Sequence, residues 1–228
     1  MKANKRTGFK KKLYVLLIVA AAILVAAIVF FALLFHKPSY YKPLDYSNSR
    51  EISVYLTNQL LPDFYNGVQL QEPFELVITQ IGINDIVARF RWPREFSGVS
   101  FSSPMVFFAQ DTIVLMGTVF MEGAEFVGTV TAQPQLDAEG LLNFNVVSVK
   151  IGAVDITPFA GVVAKRICRQ RYEDSNLDKK SLWNKMIISL LNGQPFEPVF
   201  KIEDKKVQVE KITIEQKKLT IRFVPVFD

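Results

Sequence analysis

The chain has 228 residues and a net charge of +5, but Lys2, Lys5, Arg6, Lys10, Lys11 and Lys12 place six positive charges and no acid in its first twelve residues, leaving −1 for the other 216. The basicity belongs to a tail, not to a folded face with cations interleaved among aromatic residues, so nucleic acid is not an expected partner. One cysteine, Cys168, and one histidine, His36, exclude an internal disulfide framework, a Cys/His zinc site and a Cys–His dyad. The chain is expected to fold without metal or cofactor.

Leu13 to Phe35 is a run of 23 residues without charge, amide, Gly or Pro. At a rise of about 1.5 Å per residue it reaches roughly 35 Å, enough for a transmembrane helix. A cleaved signal peptide would carry a shorter apolar region ending in a small-x-small site. Here such sites lie inside the run, which ends in Ala32-Leu33-Leu34-Phe35. An uncleaved anchor is therefore expected. Six cations precede it, and only His36, Lys37 and Lys42 closely follow, which places the N-terminus in the cytoplasm and the rest outside the cytoplasmic membrane. The expected organisation is a cytoplasmic tail over 1–12, a membrane helix over 13–35, a tether over 36–48 and one extracytoplasmic domain over 49–228.

In that domain, Asn48 and Glu51 offer a capping box, and Ile52, Tyr55, Leu56 and Leu60 predict a helix over 49–61 that Pro62 stops. A strand over 74–79 and a short helix over 81–90 follow, the latter ended by Pro93. Strands over 105–109, 112–122, 125–133 and 141–151, separated by turn residues, form an antiparallel meander. The strand from Thr112 to Met121 is apolar on both alternate sets and needs cover on both faces. In Leu141 to Ile151 the apolar set switches face after Val146, which predicts either a bulge or a strand that crosses from one packing environment to another. Thr157 and Pro158 open a helix with Phe159, Val162, Val163 and Ile167 on its buried side. A further helix over 178–191 and a strand hairpin over 206–223 complete an α+β domain dominated by antiparallel strands.

The order strand, short helix with Ile83-Asn84-Asp85, meander, Ser148-Val-Lys-Ile-Gly-Ala-Val-Asp-Ile-Thr-Pro158 leading into a helix, and terminal hairpin resembles the YpmS-like group of bacterial single-pass membrane proteins. More distantly it resembles exported domains of the tubular lipid-binding type. The resemblance covers roughly residues 70 to 226. It implies an anchored envelope domain with a curved sheet, leaves room for an apolar groove, and supplies no catalytic residue to transfer.

The chemical candidates are thin. Ser39 and Lys42 match Ser-x-x-Lys, without the partner motifs of serine acyl-enzymes. His36 abuts the membrane. Glu122 with Glu125 and Asp137 with Glu139 flank turns, where acids are ordinarily solvated. These features point away from an enzyme. Lys165, Arg166, Arg169 and Arg171 crowd one helix and could contact anionic headgroups, or simply form a solvated face. Fifteen of the 19 phenylalanines fall after the anchor, and Phe101, Phe107, Phe108, Phe120, Phe126 and Phe144 cluster in the meander, either as core or as the lining of an apolar groove. Two readings stand. One is a non-catalytic module binding lipid or another apolar ligand; the alternative is a scaffold binding an envelope protein through a sheet edge or apolar patch.

Overall fold

A computed structural model gives the structure of the chain and describes residues 4–44, 51–90, 92–96, 99–121, 123–161 and 182–227. Helix α1, Asn4–Leu34, contains the apolar run except its last residue, Phe35. Its stretch Lys12–Leu34 has a mean hydropathy of 3.2 and is not buried against the rest of the chain, so it is long and apolar enough to cross a membrane.

The remainder is α+β. Among the described residues Ser53 caps the first helix, its Oγ accepting the Leu56 N–H at 3.1 Å; Asn48, the cap expected from the sequence, lies outside them. The stop expected at Pro62 does not occur. Residues Leu56–Leu60 form a π-helical turn in which the Leu61 N–H reaches back five residues to the Leu56 carbonyl, and the helix continues as α2, Leu61–Leu70. Proline has no N–H to give to an α-ladder. The wide turn relocates Pro62 to the start of a new α-segment, where none is required.

Strand β1, Phe74–Thr79, runs directly into α3, Gln80–Ala88, capped by Thr79 Oγ1 on the Gly82 N–H at 3.1 Å. The meander follows: β2 Arg94–Phe96, β3 Val99–Phe101, β4 Met105–Ala109, β5 Thr112–Met121, β6 Ala124–Leu136, β7 Leu142–Ile151 and the two-residue β8 Val154–Asp155. These seven strands form one curved antiparallel sheet, a half-barrel, ordered β2-β3-β5-β6-β7-β8 with β4 also on β5. Helix α4 opens at 157, with 157–161 described, and α5 is Leu182–Asn192. Then β9 Val199–Ile202, β10 Lys205–Glu215 and β11 Lys218–Val226 pair with β1 in a second sheet of order β1-β11-β10-β9.

The small sheet presents a single apolar face. Val207 and Val209 are odd-numbered while Ile212 and Ile214 are even, but a bulge at Glu210 shifts the register and puts all four on one side, opposite Phe223, Ile221 and Leu219. One end of this face packs with Val68 and Phe64 of α2; the other packs with Ile83 and Val87 of α3 and with Val106, Phe108, Ile113 and Leu115 of the large sheet.

Asn84 and Asp85 join α3 to its surroundings. Asn84 Nδ2 donates to the Val106 carbonyl and its Oδ1 accepts the Val106 N–H, both at 2.7 Å, and Gln80 Oε1 accepts the Phe108 N–H at 3.0 Å. Side-chain amides thus occupy the free edge of β4, where another strand could otherwise add. Asp85 accepts hydrogen bonds from Ser53 Oγ and, at 2.9 Å, from Arg89 Nε. The Ser53 bond, supported by the Arg89 bond and charge, holds the carboxyl below its ordinary 3.8 against the opposing effect of burial. A carboxyl depressed on folding stabilises the native state fully above its unfolded pKa, and that contribution disappears as pH falls through the folded value. Urea midpoints measured down from neutrality should therefore decline below pH 3.8 in the wild type, and Asp85→Asn should be less stable at neutral pH with a flatter acid limb.

Candidate functional site

Pairing register assigns the faces of the large sheet. Phe101, Val119 and Phe126 lie abreast on β3, β5 and β6, and the same inner face carries the directly paired Gly117 and Gly128, then Val130 opposite Val149. On β7 the expected bulge is present: Thr131 pairs with Ser148 and Ala132 with Val146, so Val147 is the extra residue. What alternates as two apolar faces in the sequence becomes one, because the bulge returns Phe144 and Val146 to the side of Val149 and Ile151. Val147 is left outward and 49% exposed.

Beside this bulge is a cavity of about 360 Å³. Its floor is Val130, Phe144, Val146 and Val149, with Asn143 and Asn145 along the strand. Ile156, Thr157 and Ala160 close one side, and Leu190 and Leu191 of α5 cover the other. No charged side chain stands among the described lining residues.

The local sequence explains why a gap forms there. Strand β8 pairs with β7 only at Lys150 and Ile151, so the rest of that edge needs other partners. Leu142 exchanges both backbone hydrogen bonds with Phe196. Ser189, with no exposed surface, accepts the Phe144 N–H at 3.1 Å. The Val149 N–H goes to Thr157 Oγ1 at 2.9 Å. Between Phe144 and Val149 the chain bulges, and the covering elements diverge around it. Thr157 also donates its hydroxyl and its backbone N–H to Asp155, the hydroxyl bond foremost among the effects that hold that carboxyl below its ordinary range. The helix opens at 157 with Asp155 supplying the capping oxygen, not Thr157 as the sequence suggests.

The end of the sheet nearest α1 forms a second feature. Phe35 stacks on Phe126 with centroids 5.0 Å apart, and Lys37 pairs with Glu125 at 3.7 Å. The Ala153 N–H donates to the Leu33 carbonyl at 2.8 Å. Gly152, buried with φ +58°, lies so close that a Cβ would collide with the Leu33 and Leu34 carbonyls. The Gly of the Ser148–Pro158 stretch thus sits where the sheet meets the helix end. Beyond the helix, Tyr41 is 3% exposed, shares a hydrogen bond with Thr118 Oγ1 at 3.0 Å, and packs with Met116 and Val127. Tyr40 meets the Phe107 ring edge-on. Residues expected to form the first part of a tether instead lie along the outer face of the sheet.

That segment resolves the two-sided apolar strand. Ile113 and Leu115 of β5 pack toward the small sheet and α3, while Val114, Met116 and Thr118 are covered by Tyr41 and its neighbours. The six phenylalanines do not share one surface. Phe144 alone of them lines the cavity, stacking on Phe196. Phe101 and Phe126 lie on the same inner face at the α1 end, Phe108 is in the core, Phe107 is on the outer face, and Phe120 is 40% exposed on that outer face. Lys165, Arg166, Arg169, Arg171 and Cys168 lie outside the described residues, as does Glu122. Asp137 is engaged by its own turn, accepting the Glu139 and Leu141 N–H groups. Of the cavity residues that composition does not single out, only Val149 lies in the strand whose face switch the sequence shows; Ile156 and Leu190 come to it through tertiary placement.

No family model, curated protein or solved structure matches the chain.

Proposed function

We propose that the protein is a single-span protein of the cytoplasmic membrane whose domain lies outside and binds lipid or another apolar ligand beside β7, without catalysing a reaction. The observation that carries this is the cavity: its volume of about 360 Å³ falls within the roughly 300–1,000 Å³ of small-molecule sites, and its lining is hydrocarbon with a few amides at the strand. The uncharged described lining favours an acyl chain over an ionic ligand. Thr157, its one hydroxyl among the described residues, is already committed to Val149 and Asp155, which supports binding over chemistry.

The membrane placement is supported by the length and hydropathy of Lys12–Leu34 and the six cations before it. Retention of the helix is supported by the contacts of its own end, the Ala153 hydrogen bond to the Leu33 carbonyl and the stacking of Phe35 on Phe126. The resemblance to the YpmS-like group is part of the same proposal and rests on the Ser148–Pro158 pattern of the sequence. The scaffold reading has less to draw on, because Asn84 and Gln80 occupy the β4 edge and Ser189 and Phe196 that of β7.

Val149→Trp, which directs a large ring into the cavity, is expected to abolish uptake of a fluorescent fatty acid by the full chain with little change in its urea midpoint. Undiminished uptake by a folded variant would overturn the cavity assignment.

A further inference from the structure

We propose that the end of the large sheet carrying Gly123, Phe126 and Gly152–Ala153 lies in the headgroup layer of the outer leaflet, with Phe120 against acyl chains and the inner face of the sheet opening toward the bilayer. The proposal rests on the reading of Lys12–Leu34 as a membrane span. If the span is centred on residue 23, Leu33 lies ten residues from its middle, about 15 Å at the helical rise. That is half of a hydrocarbon core roughly 30 Å thick. The hydrogen bond from Ala153 to the Leu33 carbonyl therefore holds the β7–β8 turn at the hydrocarbon boundary, not above it.

Two further contacts bring the start of β6 to the same level. Phe126 is stacked on Phe35, and Glu125 reaches Lys37, the first cation after the span. Ala153 and Gly123 are exposed there, and Phe120, the cross-strand partner of Glu125, offers a 40% exposed ring. A rim fixed to the last turn of a membrane helix has phospholipid, not bulk water, as its neighbour. From Phe126 to Val130 at the cavity is four residues along the inner face of β6, about 13 Å at strand rise. The ligand of the cavity then has a path from the bilayer along protein.

The test uses the full chain in liposomes of phosphatidylglycerol and phosphatidylethanolamine, with Cys168→Ser as background and an environment-sensitive fluorophore on Ala27→Cys, Phe120→Cys, Glu139→Cys or Ala153→Cys. Glu139 lies beyond the far end of β7, about 30 Å from the rim along the strand. Nitroxide lipids labelled near the headgroup should quench positions 120 and 153 and leave 139 bright, and chain-end nitroxides should quench position 27. Adding Gly152→Val, which drives a side chain into the helix-end carbonyls, should relieve the quenching at 120. If 120 and 153 stay as bright as 139 while 27 is quenched, the span stands and the rim proposal falls. Equal quenching at 139 and 153 overturns it in favour of a sheet lying flat. An unquenched position 27 removes the span reading and the proposal with it.

Discussion

Tyr41→Ala is expected to destabilise the protein by about 3–5 kcal/mol, the cost of deleting a large buried side chain, although Tyr41 stands only six residues beyond Phe35 in a Pro- and Tyr-containing segment. Its ring is 3% exposed against Met116 and Val127, and its hydroxyl meets Thr118, itself 4% exposed. The apolar outer face of β5 would lose its cover and take up water. Tyr41→Phe retains the packing and should cost about 1–3 kcal/mol, from leaving the buried Thr118 hydroxyl without this partner. Urea unfolding of the full chain in detergent, followed by circular dichroism, measures both. A loss under about 1 kcal/mol for Tyr41→Ala would mean that the segment is a tether after all.

Phe223→Ala should be at least as damaging. Phe223 is 2% exposed at the centre of the small sheet, with the rings of Phe64, Phe74 and Phe200 at 5.2, 5.2 and 5.5 Å. Deletion creates a cavity and removes three aromatic contacts, each worth about 0.5–1.5 kcal/mol, so the loss belongs at the upper end of the roughly 3–5 kcal/mol range or above it. Phe120→Ala, at 40% exposure, should cost below about 1 kcal/mol. The contrast matters because both residues are phenylalanines in apolar strands. Only their positions in the sheets separate them, and the urea midpoints of the two variants, measured side by side, check it.

Local pattern carried much of the fold. The strands at 74–79 and 105–109 match their expected bounds, and the switch of apolar face within 141–151 located the Val147 bulge. These signals are readable because they are confined to one strand. The bulge at Glu210 left the same kind of signal, the odd-to-even change from Val209 to Ile212, but inside a strand read as uniform. Pro62 misled because a proline is ordinarily a stop, and only the π-turn before it makes the continuation possible. The pairing of β1 with β11 joins segments about 140 residues apart in the chain, with nothing local to announce it. The candidate site was legible only in part. A cluster of six phenylalanines suggested one surface, but strand alternation sends Phe107 and Phe108 to opposite faces, and register with β6 separates Phe120 from Phe126 in the same way. The cavity depends on where β8 stops and α5 crosses β7, which is a matter of tertiary placement.

Site mapping with a photoactivatable fatty acid tests the binding reading most directly. The full chain in liposomes is illuminated with a diazirine-bearing long-chain fatty acid, digested and sequenced by mass spectrometry. Adducts are expected on the β7 segment from Phe144 to Val149 and on Leu190–Leu191, the two walls of the cavity, and are expected to be competed by unlabelled fatty acid and lost in Val149→Trp. Adducts confined to α1, or scattered over the surface and indifferent to competitor, would contradict an apolar ligand held beside β7.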